Sequence, residues 1–217
     1  MATLNLTTTE DTEAQSNTTK GKRAGDPGII TNTSPVSPGS HGAGDQWCMA
    51  ARFTGVTLAN AETINSALFS LRANSTYNAG ANTITYIVCC QAADNAGALA
   101  TSGSTDLDPG TRAGTTADSG TWTQTSVTGG TRYSVDITSA VQEVVNRAGW
   151  ASGNAIVVLV DTQTTCTNGE WQDYDSDSAT LGPRLDIDYG GGGGRTVLNT
   201  RSNPLGVNVG MGWRMPA

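Results

Sequence analysis

The segment 134–189 decides the fold of this chain, because it holds one helix signal and two strand signals in close succession. They are SVDITSAVQEVVNRAG (134–149), AIVVLV (155–160) and PRLDIDY (183–189). The first places its valines on one helical face, the second is a continuous apolar run, and the third alternates apolar with polar residues. We therefore expect one short accessory helix, about 138–148, a central strand and a closing strand.

Upstream, the apolar residues alternate in strand-length runs that are separated by Gly, Ser, Thr and Asn. The runs are WCMAARFTGV (47–56), INSALFSLRA (64–73) and NTITYIVCCQA (82–92). TWTQTSV (121–127) and TRYSVDI (131–137) flank a TGG turn and are typical of a hairpin. Short strands with few helices predict an all-β fold, an antiparallel sandwich.

Two further patterns concern the helix boundaries and a long connection. Ser139 and Gln142 have the spacing of a capping box, and Gly149 would stop the helix. The segment 93–119 is poor in apolar residues and predicts a long loop. Loops of this length in compact domains usually serve function or interfaces.

The negative charge of residues 24–190 argues against nucleic acid as a partner of this part of the chain. The 217-residue chain carries a formal net charge of −7, and residues 24–190 hold 16 acidic residues and 6 arginines. No apolar run approaches the roughly 20 residues of a membrane span. The beginning of the sequence has neither a basic nor an apolar signal region, so we expect synthesis in the cytoplasm without a secretory signal.

The composition divides the chain into four parts. Residues 1–25 are polar and predict an extended arm, disordered or lying on another surface. Residues 26–189 form the sandwich, 190–194 (GGGGG) a flexible hinge, and 195–217 an apolar tail. Such a tail should dock on a partner subunit or return to its own domain, and we favour the partner. The docking residues are Val197, Leu198, Leu205, Val207, Val209, Met211, Trp213 and Arg214.

The order of these elements resembles the DNRLRE-type jelly-roll domains, which are related to carbohydrate-binding modules of bacterial surface proteins. The matching pieces are MAARFTGVTL (49–58), TINSALFSLRA (63–73), WTQTSV with RYSVDITSAVQEVVN (122–146), GNAIVVLVDT (153–162) and PRLDIDY (183–189). The resemblance covers about 28–189 and implies jelly-roll topology. Similar domains occur in tailed-phage virion proteins, there with extended termini.

Two functions follow as hypotheses. The first is a non-catalytic virion structural protein, a capsid decoration (cement) or minor particle protein, made in the host cytoplasm. Its partners would be the major capsid or other virion proteins and further copies of itself. The second is a carbohydrate-binding module that recognises a host surface glycan. The sequence offers no catalytic constellation, since the single histidine, His41, lies in a predicted loop and G-x-S-x-G is absent.

Two groups of residues are candidate ligand contacts. Trp122, Trp171 and Tyr174 could stack on a sugar, although aromatic residues in sandwiches more often belong to the core. Asp173, Asp175 and Asp177 form D-x-D-x-D and could bind calcium, although a solvent-facing acidic strand explains them as well. An EF-hand is excluded because Ser178 and Arg184 replace its glycine and its bidentate glutamate.

The four cysteines do not form a disulfide framework. Cys89 and Cys90 are adjacent in a strand pattern and should point to opposite faces. Cys48 and Cys166 could pair only if their Cα atoms come within about 7 Å. A zinc site is disfavoured because no C-x-x-C is present.

Overall fold

The computed structural model describes residues 2–7, 19–24, 30–31, 38–42, 45–78, 84–99, 112–162, 174–175 and 181–190. They form thirteen strands and one α-helix. The strands are β1 (Ala2–Thr7), β2 (Thr19–Ala24), β3 (Ile30–Thr31), β4 (Gly39–Gly42), β5 (Asp45–Phe53), β6 (Ile64–Arg72), β7 (Tyr77–Asn78), β8 (Ile84–Gln91), β9 (Gly114–Gln124), β10 (Ser126–Val127), β11 (Arg132–Asp136), β12 (Ile156–Thr162) and β13 (Arg184–Tyr189). The helix is α1 (Thr138–Val145).

The strands pair in two main sheets. A four-stranded sheet has the order β1-β13-β6-β11, and a seven-stranded sheet has the order β3-β2-β5-β12-β8-β9 with β4 also pairing with β5. β7 and β10 form a separate two-stranded ribbon. Every one of these pairs is antiparallel. The predicted all-β antiparallel sandwich with one short helix is confirmed.

The core lies between the two sheets and follows the alternation of the sequence. In β6, Ala67, Phe69 and Leu71 are completely buried, as predicted from INSALFSLRA. Phe53 of β5 meets Phe69 across the sandwich with ring centroids 6.3 Å apart, edge to face. Aromatic pairs prefer this geometry, so the contact ties one sheet to the other.

β12 is the central strand that the run AIVVLV predicts. It is hydrogen-bonded to β5 on one side and to β8 on the other. Val158 and Val160 are buried in the main core, and Val157 is buried on the opposite face. Because both faces of β12 are covered, its sequence from Ile156 to Val160 is a continuous apolar run and does not alternate between apolar and polar residues.

The helix α1 packs its apolar stripe on the core and ends earlier than predicted. Its residues Val141, Val144 and Val145 are buried. It ends at Val145 rather than near 148, where the Asn60 side-chain amide donates to the carbonyl oxygens of Val145 and Arg147. Within the described residues, no helix has the length and apolar character required to cross a membrane.

The predicted capping box is wrong. No side chain caps the helix from its N-cap residue. Instead, one oxygen of Asp136 accepts the backbone N–H and the hydroxyl of Thr138. The Gln142 side chain accepts the N–H of Ile64 and donates to the carbonyl of Glu62, so it fixes the approach to β6.

The predicted hairpin between 121–127 and 131–137 is also wrong. β9 pairs with β8 in the seven-stranded sheet, whereas β11 pairs with β6 in the four-stranded sheet. Between them, the N–H of Gly130, which has φ +82°, donates to the carbonyl of Ala73. The chain therefore crosses from one sheet to the other at this turn.

The segment 93–119 differs from the predicted loop at its end, because β9 already begins at Gly114. Gly114 lies against Cys89, and a Cβ at this position would come within 2.8 Å of the Cys89 sulfur. A glycine therefore permits the close approach of β9 to β8. Residues 100–111 lie outside the described residues.

The N-terminal arm also differs from the prediction. Ala2–Thr7 is a strand on β13, and Thr19–Ala24 is a strand on β5. Leu6 is buried in the core, and main-chain hydrogen bonds hold the otherwise polar strand. The glycine hinge beyond Gly190 and the tail 195–217 lie outside the described residues, so their predicted roles stay predictions.

Candidate functional site

Two of the three predicted glycan-contact residues lie in the core. Trp122 is 8% exposed and packs against Tyr86, with ring centroids 5.6 Å apart. Tyr174 has no exposed surface, and burial raises the pKa of its hydroxyl above the ordinary value. These two rings cannot stack on a sugar, which corrects the prediction. Trp171 lies outside the described residues.

Of the predicted calcium ligands, only Asp175 is described, and its carboxylate is engaged by the protein. One oxygen accepts from the Arg72 guanidinium at 2.5 Å and the other from the Asn74 amide at 2.8 Å. A cation there would face the charge of Arg72, so this geometry argues against calcium. Asp173 and Asp177 lie outside the described residues, within which no group of three His, Cys, Asp or Glu residues is placed to hold a metal.

The cysteines of β8 lie on opposite faces, as predicted. Cys90 is buried in the core, where burial raises the pKa of its thiol, and Cys89 is half-buried. A buried thiol with a raised pKa is a poor nucleophile. The pairing of Cys48 with Cys166 stays a prediction because Cys166 lies outside the described residues. His41, predicted in a loop, lies within β4.

An open cleft of about 420 Å³ lies beside the helix. It is lined by Ile64, Thr138, Ser139, Gln142, Glu143 and Asn146. The Glu143 carboxylate accepts the backbone N–H groups of Thr116 and Ala117. Because this carboxylate and the Gln142 amide already bond to the fold, the cleft offers little polar chemistry to a ligand.

Part of the outer face of the seven-stranded sheet is covered by the chain itself. Ala96 and Leu99, which follow β8, are buried against Ala50 and Val157. Main-chain and side-chain bonds hold this segment: the N–H of Ala96 donates to Ala155, and the Arg52 guanidinium donates to the carbonyl of Ala96. An intramolecular contact therefore covers this face around Ala50 and Val157.

The outer face of the four-stranded sheet is polar and partly exposed. We call it the four-stranded face. Alternation along each strand and the register between strands place these residues on it: Thr3, Asn5, Ser66, Leu68, Ser70, Arg72, Arg132, Ser134, Asp136, Arg184, Asp186 and Asp188.

The arginines of this face lie at one end. Arg132 is the register partner of Arg72, and Arg184 is that of Ser70 on the other side of β6. Burial, then the charges of Arg184 and Arg72, lower the pKa of Arg132. Its guanidinium donates to the carbonyls of Gly182 and Leu181 at 3.0 and 2.9 Å. This end is thus positively charged and held in place, with Asp175 as one counter-charge.

The aspartates lie at the other end of the face. Asp136 and Asp186 are both register partners of Leu68, from the two sides of β6, and Asp188 is opposite Ser66. Asp188 accepts the hydroxyl of Thr3 on the neighbouring strand at 2.6 Å. The four-stranded face is therefore divided into a positive end and a negative end.

Leu68 lies between its register partners Asp136 and Asp186 and is 39% exposed. In the described part of the chain, only Leu68 and Leu181 are exposed large hydrophobic residues. Leu181 lies next to the arginine end, where its carbonyl oxygen accepts from Arg132. Sequence alternation places Leu68 and the polar residues of PRLDIDY outward, but their neighbours depend on a strand order that the sequence does not reveal.

The two ends of the described chain meet at one end of this sheet. Ala2 is the register partner of Tyr189, and the N–H of Gly190 donates to the carbonyl of Thr63. Gly190 adopts φ +82°, a conformation that favours glycine. The chain thus leaves the sandwich at a fixed point beside the first strand.

Comparisons with known proteins place this chain in no family. No family model matches it, and no curated protein matches it significantly. Among solved structures, it is similar to the K1 cleaved adhesin domain of Lys-gingipain from Porphyromonas gingivalis W83. The two share 12% identity over 88% of this chain and 100% of that chain, with a TM-score of 0.33. A likeness of this degree carries no argument about function.

Proposed function

We propose that the chain is a non-catalytic structural protein of a virus particle, a capsid decoration or minor particle protein. The sandwich would lie at the particle surface, and the tail 195–217 would dock on the major capsid protein, another virion protein or a second copy. The observation that carries the proposal is the apolar tail behind a run of five glycines.

The exit point of the chain supports this arrangement. Tyr189 lies opposite Ala2, and the N–H of Gly190 donates a hydrogen bond to the carbonyl of Thr63. An attachment through the tail would therefore hold the sandwich by one end of its four-stranded sheet. The opposite end of that sheet would remain free.

The hinge suits an attachment to a separate body. A flexible chain of five glycines spans roughly 12 Å on average, enough to reach across a subunit boundary. The tail then supplies eight residues for docking, six of them aliphatic or methionine: Val197, Leu198, Leu205, Val207, Val209 and Met211, with Trp213 and Arg214. Buried aromatic and arginine side chains often dominate the energy of protein interfaces.

Glycan recognition has less support. Two of its three candidate rings, Trp122 and Tyr174, pack inside the sandwich. Residues 24–190 are acidic, and no cluster of metal-binding residues occurs among the described residues. Neither observation favours or excludes a sugar ligand. We therefore keep the assembly role as the proposed function.

The proposal is tested with the full chain and two variants. One variant lacks 195–217, and the matched control replaces only the hinge glycines 191–194 with serine, which preserves length and flexibility. In lysates of the producing cells, the full chain and the control should co-sediment with virus particles in a density gradient, and the truncated chain should not. Recovery of the full chain only at the top of the gradient would overturn the proposal.

A further inference from the structure

We propose that the four-stranded face is a self-complementary interface through which two copies of this chain pair. The two-fold axis would lie in the plane of contact and run across the strands between the positions of Leu68 and Ser70. This inference deepens the proposed assembly role by naming the surface and the partner. It rests on that role only in treating the chain as an assembling subunit.

The first support is the order of charges along the strands. Residues in register across the strands form rows, which follow one another along the face. The first row contains Arg72 and Arg132, and the second contains Arg184. The third contains Asp136 and Asp186, and the fourth contains Asp188. A two-fold rotation about an axis across the strands reverses this order. It therefore sets the arginine end of each copy against the aspartate end of the other, which makes the contact isologous.

The second support is that other pairings of the same faces are unfavourable. A two-fold axis along the strands would place arginines on arginines and aspartates on aspartates. Like charges across an interface cost free energy and suppress the wrong arrangement. The segregated charges thus select one orientation of the two copies.

The third support is the position of Leu68. Leu68 is 39% exposed and lies between its register partners Asp136 and Asp186, next to the position of Arg184 along the strands. In the proposed pair, each Leu68 would lie beside the partner's Leu68. An apolar centre with a polar and charged rim is the ordinary anatomy of a protein interface.

The size of the face predicts a weak dimer. Four strands about 4.8 Å apart and six residues of about 3.4 Å each give a face of roughly 400 Å². A standard interface buries about 800 Å² on each partner. We therefore expect an association that depends on concentration and weakens with added salt, since the rim charges are screened.

The test is sedimentation velocity of the full chain at low and high concentration, up to about 100 μM, which populates a dimer with a micromolar Kd. Leu68→Lys and Asp188→Lys should each raise the dimer Kd by about tenfold or more. Asp118→Lys makes the same charge change on exposed β9 and should leave the Kd unchanged. Thermal unfolding checks that each variant is folded.

A mixing experiment tests the two-fold arrangement itself. Asp188→Lys makes the aspartate end less negative, because only Asp136 and Asp186 then oppose the new Lys charge, and Arg184→Glu makes the arginine end less positive. The two variants should pair with each other more tightly than either pairs with itself. If Arg184→Glu does not fold, the dimer Kd of Leu68→Lys compared with that of Asp118→Lys still decides whether the four-stranded face is the interface.

The outcomes separate this inference from the proposed function. Association that depends on Leu68 and Asp188 and survives deletion of 195–217 supports the face. A monomer at every concentration, or association that these variants leave unchanged, overturns the inference. Loss of particle binding on deletion of the tail supports the assembly role in either case.

Discussion

The outer faces of the two sheets of this sandwich differ in polarity and in burial. The seven-stranded sheet has an apolar region on its outer face that the segment after β8 covers, with Ala96 and Leu99 buried on Ala50 and Val157. The four-stranded sheet has a polar outer face with arginines at one end and aspartates at the other, and Leu68 is exposed between two of the aspartates. The chain thus buries part of one outer face by itself, whereas the other outer face keeps polar residues and Leu68 at the surface.

Replacing Phe69 should have the largest effect, because this ring joins the two sheets. Phe69→Ala removes a fully buried ring and its contact with Phe53, and should lower the free energy of unfolding by about 3–5 kcal/mol. The matched control is Leu68→Ala, the adjacent residue on the outer face, which should change it by less than about 1 kcal/mol. Urea unfolding measures both variants. Equal losses would show that β6 does not separate a core face from an outer face.

Replacing Leu99 tests whether the cover of the seven-stranded sheet contributes to stability. Leu99→Ala should lower the free energy of unfolding by about 2–3 kcal/mol, since a nearly buried leucine leaves a cavity over Val157. Hydrogen exchange should then rise in the segment 92–99 before it rises in β6. The neighbouring exposed Ala98 gives the control Ala98→Ser, for which we expect no change in exchange.

Replacing Asp175 should have an intermediate effect at the arginine end of the four-stranded face. Asp175→Ala leaves the donors of Arg72 and Asn74 without their acceptor, and should cost about 1–3 kcal/mol. A double-mutant cycle with Arg72→Met measures the coupling between the two residues. A coupling energy of zero would mean that the ion pair does not fix the segment at 174–175 to β6.

Replacing Tyr174 should have the smallest effect at neutral pH and a visible one in alkali. Burial raises the pKa of its hydroxyl, so the unfolded chain releases this proton near pH 10 while the folded chain still holds it. Stability present below that pH is therefore lost as the pH rises above about 10. Tyr174→Phe keeps the ring volume and should reduce this loss in thermal unfolding between neutral and alkaline pH. Tyr189→Phe, at a half-buried ring, is the control.

The fold was predictable where one sequence pattern determines one environment. Alternation in β6 identifies its buried residues, and the apolar run of β12 identifies a strand covered on both faces. The turn at Gly130 was not predictable, because a TGG turn is compatible with a hairpin as well as with a crossing between sheets. The start of β9 was missed because Gly, Ala, Asp and Ser carry little strand preference, and threonine is the only strand-favouring residue type in 114–119.

The proposed interface and the candidate ligand contacts were less predictable than the fold. Trp122 and Tyr174 have the chemistry of sugar-stacking residues, yet tertiary packing places both in the core. The charge division of the four-stranded face joins residues from β6, β11 and β13, which are far apart in the sequence. Only the strand order brings them together, and no local pattern carries that information.

The position of β13 has a mechanical consequence. This strand is hydrogen-bonded along both edges, to β1 and to β6, and it leads directly into the tail. A pull on the tail along the strand would load two antiparallel ladders in shear, so many hydrogen bonds would have to break together. A pull between Ala2 and Tyr189, which lie side by side, would instead open the β1–β13 pair one bond at a time. A domain held by its tail alone would thus resist force better than one held by both ends.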